Sequence, residues 1–198
     1  MTQRTASRGK HWGAALAGAG VALALALGAA QAQEAEDEST PPDDLAVAQA
    51  VAAQKAGRGP VTNLPLPRFV SLKGSEGNAR RGPSLSHRID WVFTHAGMPL
   101  KVTAEFGHWR RVEDRDGAGG WVHYSLISGV RTVIVQKDMA ELHARPDARA
   151  AVTALAEDGA IAKLGECKID WCEIQSEEAE GWITKAEIWG VGPEEIRD

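Results

Sequence analysis

The stretch LKVTAEF, residues 100–106, alternates without a break. Leu100, Val102, Ala104 and Phe106 go to one face, and Lys101, Thr103 and Glu105 to the other. That period of two predicts a strand half buried on a sheet. Asp116-Gly117 within EDRDGAGG predicts a hairpin turn, and WVHYSLI after it a further strand. Short strands at close spacing, with turn signals between them, predict a small barrel or sandwich from about Phe69 onward.

The pattern occurs twice. Pro83 is followed by Trp109 after 26 residues, then by Trp121 after 12 and Gly129 after 8. Pro146, Trp171, Trp182 and Gly190 repeat the order with spacings of 25, 11 and 8. The neighbours agree as well, HWRRV with DWCEI and GGWVHYSLISG with EGWITKAEIWG. Four anchors in one order imply an internal duplication with a period of about 62 residues.

NARRGPS, then W-x-x-V after a strand, then GWVHYSLI resemble the bacterial SH3-like domain family, over about Arg68 to Gly192. Asn78, Arg80, Gly82, Pro83, Trp109, Val112, Gly120 and Trp121 stand where that family's pattern wants them. The second copy departs from it, with His143 at the place of Arg80 and Arg145 at that of Gly82. The resemblance implies an all-β chain of two tandem SH3-like β-barrels, 67–129 and a degenerate 130–192, with a tail over 193–198. It also implies a binding role, often in cell-envelope proteins.

Upstream, Ala, Gly and Leu dominate from about Ala14 to Ala30. Arg4, Arg8 and Lys10 precede the run, and the acidic QEAEDE follows it. A charged start, an apolar middle and small residues at Ala30 and Ala32 describe a signal peptide, 1–32, cut after Ala32. Left uncut, it is the chain's expected route into a membrane. No cysteine follows the cut to carry a lipid, and the paired arginines of a twin-arginine signal are missing. The expectation is export to the periplasm. Residues 33–66 then read as an acidic Ala/Pro-rich linker, disordered over QEAEDESTPPDD. A short helix fits between Asp44 and Gly57, marginal by itself in water.

Loss of the three leader cations takes the formal charge from −5 to −8. That argues against nucleic acid as the main partner, because phosphate binding needs a basic footprint. The charge is also uneven. Residues 67–129 hold nine Lys/Arg against six Asp/Glu, and residues 130–198 eight against fifteen. Either the barrels attract each other, or the first faces an acidic partner such as a carboxylate-bearing wall peptide.

Cys167 and Cys172 are the two cysteines. Aligning the copies sets Cys167 at the place of Glu105 and Cys172 at that of Arg110, where opposite charges suit a cross-strand pair. In an oxidising compartment a disulfide across KIDW is the economical reading. A redox pair wants C-x-x-C at a helix start, and a metal wants more ligands nearby; free thiols are the remaining alternative. Strict alternation puts the cysteines on opposite faces, which a bulge at Gly165 would reconcile.

Candidate chemistry is sparse. His87, His95, His108, His123 and His143 show no metal-ligand spacing, and no nucleophile or nucleotide motif accompanies them. No catalytic residue, metal or cofactor is expected. Trp121 and Trp182, each following a glycine, are expected in the barrel cores. Trp109 is out of phase with Val112, so it is expected as an exposed platform, with Arg80, Arg110, Arg111 and Tyr124 completing a ligand site. The function expected is non-enzymatic binding of peptidoglycan or its peptides. The rival is an adaptor that docks another envelope protein through the paired barrels.

Overall fold

Two seven-stranded antiparallel sheets repeat one another strand for strand. The computed structural model describes residues 44–53 and 57–198. The expected leader with its cut at Ala30 and Ala32, and the acidic start of the linker, lie outside the described residues. The first repeat holds β1 (Arg68–Leu72), β2 (Gly77–Arg80), β3 (Ile89–Phe93) and β4 (Pro99–Phe106). It continues with β5 (Trp109–Glu113), β6 (Gly119–His123) and β7 (Ile127–Ser128). Their order in the sheet is β3-β2-β6-β5-β4-β1-β7. The second repeat holds β8 (Thr132–Val135), β9 (Ala140–His143), β10 (Val152–Ala156) and β11 (Ile161–Cys167). β12 (Trp171–Gln175), β13 (Glu180–Thr184) and β14 (Ile188–Trp189) complete it, in the order β10-β9-β13-β12-β11-β8-β14. The all-β expectation holds, with one α-helix among the described residues, α1 (Asp44–Ala53).

Register repeats as well as order. Arg80 faces Trp121 across β2–β6, and His143 faces Trp182 across β9–β13. A register shift interrupts β4 between Val102 and Ala104, and β11 between Leu164 and Cys167. The second is the bulge expected at Gly165. One extra residue turns every later side chain over. Glu105, which strict alternation assigns to the polar face, therefore joins Val102 on the inner face, and Cys167 joins Leu164. The β5–β6 hairpin turns at Asp116-Gly117 as expected, with Gly117 at φ +81°. There the Asp114 carboxylate accepts from the Asp116 and Ala118 N–H groups at 3.0 and 2.8 Å.

The inner faces carry the cores. Leu72, Phe93, Leu100, Val102, Val112 and Val122 fill the first, and Leu142, Leu164, Ile174, Ile183 and the two cysteines the second. Trp121 and Trp182 are buried, at 5 % and 8 % exposure, but not in these cores. Trp121 faces Arg111, and Val122 faces Arg110 beside Val112. The strand must send one member of each G-W-V pair to each side. The valine or isoleucine fills the interior, and the indole covers the outer face.

In the first repeat that outer face is itself covered. Val47 and Val51 of α1 pack against Ala104, Trp109 and Trp121. Residues 58–65 then fold back, with Arg58 bridging to Pro65. The described part of the segment read as a linker thus packs on the first sheet. A ten-residue, alanine-rich helix is marginal in water, and burial of its two valines is what stabilises it here.

The repeats meet through aromatic and backbone contacts. Phe69 stands edge-on to Trp189 at 5.1 Å between ring centroids, and the Arg131 guanidinium lies 5.6 Å from the Phe69 ring. The Thr132 hydroxyl donates to the Gly97 carbonyl at 2.6 Å. Arg115 of the first repeat donates to the Val135 carbonyl and pairs with Asp158 at 2.9 Å. The charge asymmetry read from the sequence is expressed across the junction by this pair.

Candidate ligand-binding site

The expected site at the first repeat divides between two faces of β5. Arg110 lies inward with Val112, and Trp109 and Arg111 lie outward. Arg110 is buried, and its guanidinium stands 3.6 Å from Glu105, whose side chain is fully buried. Arg68 holds the same carboxylate at 2.7 Å. The Thr62 hydroxyl donates to it at 2.6 Å, and the N–H groups of Thr62 and Val61 at 2.9 and 3.1 Å. A Cβ on Gly59 would stand 2.3 Å from this carboxylate, so a larger residue at 59 would push the carboxylate out of its present place. Burial pushes the Glu105 carboxyl up, but the Thr62 and Arg68 hydrogen bonds and the Arg110 charge outweigh it, and the group titrates below the usual glutamate range. The same burial pulls the Arg110 guanidinium down, against the pull of Glu105.

The other expected ligand residues fare differently. Arg80 is half-buried and donates to the carbonyls of Leu85 and His87 at 3.0 and 2.7 Å, which ties it to its own loop. Trp109 is 4 % exposed beneath α1 and is no open platform, because Val47 and Val51 occupy the face it was expected to offer. Arg111 stays exposed, and Tyr124 is 50 % exposed. The structure therefore does not assemble Arg80, Trp109, Arg110, Arg111 and Tyr124 into one groove.

What gathers around Tyr124 instead is a cluster of rings that the linear spacing of histidines does not reveal. His123 lies 4.8 Å from Tyr124, 5.5 Å from Trp109 and 5.9 Å from His108, and His108 lies 5.6 Å from Tyr124. The β5–β6 register brings them together, since Trp109 faces His123. In the second repeat Trp171 packs on His143 at 5.4 Å, and the Lys168 ammonium sits 5.2 Å from the Trp182 ring. Among the described residues no three His, Cys, Asp or Glu side chains converge as a metal would require.

Cys167 and Cys172 are bridged, and as cross-strand partners they occupy the register of Glu105 and Arg110.

A cleft of about 630 Å³ lies between the repeats. Ser71, Lys73 and Ser128 line it from the first, and Thr132, Lys163 and Glu177 from the second. Nothing in the linear spacing of these residues points to it, because no single repeat contains it.

Compared with known families, the chain matches the bacterial SH3 domain twice, over residues 73–129 and 136–190, more than half of its length. No curated protein sequence matches it. Among solved structures it is similar to NlpC2 and NlpC1 from Trichomonas vaginalis, at 11 % and 9 % identity and TM-scores of 0.29 and 0.30. Those alignments cover 62 % and 66 % of this chain and 48 % of each of the others, so the chain spans about half the length of either.

Proposed function

The chain belongs to the bacterial SH3 domain family, and from that premise we propose that it is an exported binding protein of the bacterial cell envelope, without catalysis of its own, whose ligand is peptidoglycan or its peptides. Domains of this family are binding modules. The observation that carries the reading is the fixed pairing of two such modules. Phe69 against Trp189, Thr132 on Gly97 and Arg115 on Asp158 join them into one body. Two binding surfaces held together suit a polymer that repeats its chemistry, because the second contact forms at high effective concentration. Export is supported by the order of charge, apolar run and small residues in 1–32, and by a disulfide of the kind that persists in oxidising compartments.

Fractionation of producing cells, with N-terminal sequencing, tests this reading. It expects a start at Gln33 within a residue or two and recovery by chemical cross-linking to the wall. A full-length product confined to the cytoplasm overturns it.

One observation favours an adaptor as the second reading. Edge strand β3 leaves Ile89, Trp91 and Val92 exposed. An apolar edge strand can accept a strand from a partner protein. Under that reading, Trp91→Ser abolishes capture of the partner and leaves wall binding untouched.

A further inference from the structure

The described lysines divide into two groups. Lys101, Lys137 and Lys168 sit in ion pairs, and Lys185 donates to the carbonyls of Pro193 and Glu195. Lys73 and Lys163 have no acceptor among the described residues, and both line the cleft between the repeats, one from each side. Ser71, 3 % exposed, opens on the same cleft and adds a hydroxyl to its wall. Against these two lysines, Glu177 is the one acid among the described residues of the lining. The cleft is therefore left net positive in a chain whose formal charge is −5.

An anionic ligand that spans the cleft gives both ammonium groups an acceptor. The volume suits a small ligand, since such sites span roughly 300–1,000 Å³. Leu72 and Ile161 give the wall apolar area for methylene groups. Among the described residues no arginine lines the cleft to grip a phosphate by two parallel bonds. We propose that this cleft binds a short acidic peptide, with one carboxylate on Lys73, a second on Lys163, and the Ser71 hydroxyl donating to the peptide. That the natural peptide comes from the cell wall rests on the function proposed above; the acidic chemistry of the site does not.

The test is a titration of the purified, isotope-labelled protein with synthetic Ala-Glu-Ala-Glu and with its neutral counterpart Ala-Gln-Ala-Gln, followed by amide shifts. The acidic peptide should move the signals of Ser71, Lys73 and Lys163 and bind about tenfold tighter than the neutral one. Lys73→Gln and Lys163→Gln should each weaken it about tenfold, and Glu177→Gln should tighten it severalfold. Both lysines are exposed, so the variants should keep the wild-type melting profile. Equal binding of the two peptides, or indifference to both lysine substitutions, overturns the proposal. If the peptide binds in the cleft while purified sacculi do not bind, the wall reading alone fails. If sacculi bind and the acidic peptide does not, the cleft alone fails.

Discussion

The Glu105 carboxylate and the Arg110 guanidinium lie 3.6 Å apart across β4–β5, at the register where β11–β12 carries the Cys167–Cys172 disulfide. The same place in the fold, the end of a bulged hairpin facing inward, is closed by charge in one copy and by a covalent bond in the other. The buried charge needs company, because desolvation must be offset by several good contacts. Arg68, Thr62 and the Val61 N–H supply them, and that draws residues 58–65 onto the sheet. The disulfide needs no such partners. In the second copy the backbone of Arg197 pairs with Cys167 instead, at 2.7 and 3.0 Å.

Removing one member of the buried cluster should therefore be costly. Glu105→Gln leaves Arg68 and Arg110 without their carboxylate, and the expected loss is about 3–5 kcal/mol in urea denaturation. A loss below about 0.5 kcal/mol would mean that the cluster is incidental.

Acid should act through the same group. Burial opposes ionisation of Glu105, Glu187 and Glu195, yet hydrogen bonds and neighbouring cations hold all three below the usual glutamate range. With the folded value below the unfolded one, the unfolded chain takes up protons first as pH falls. The stability they contribute is fully present above the unfolded value of about 4.3 and declines as pH drops through the folded values. Urea midpoints measured from neutral pH into this range should fall in wild type and fall less steeply in Glu105→Gln.

The staple closes a short loop, and its contribution should be modest. Before reduction the protein should contain no titratable thiol; after reduction it should lose about 2 kcal/mol and remain folded. Two reactive thiols in unreduced protein would contradict this.

The helix over the tryptophans is open to a direct check. Val51→Asp should detach α1 from Trp109 and Trp121, shift tryptophan emission to the red and cost about 1–3 kcal/mol. The amides of β4, β5 and β6 should keep their protection. Unchanged emission would show that α1 does not shield the indoles in solution.

The sheet, the duplication, the bulge and the staple were legible because they rest on local signals, period-two alternation and self-similarity. Arg110 was half-legible. Its phase with Val112 places it inward, and its charge argued the other way until Glu105 was turned over by the bulge to meet it. Trp109 was correctly off the inner face, but what covers it is α1, whose apolar residues are mostly alanine and which precedes it by about sixty residues. The ring cluster and the cleft join residues that no linear spacing relates, one through strand register and the other through contact between repeats.

If this pair of SH3 domains binds the cell wall, as proposed, the purified protein should co-sediment with purified sacculi. Recovery in the pellet should be saturable and should weaken as salt is raised, because exposed charge is screened within roughly 8–10 Å at ordinary ionic strength. Recovery no greater than that of an unrelated acidic protein at every salt concentration would contradict it.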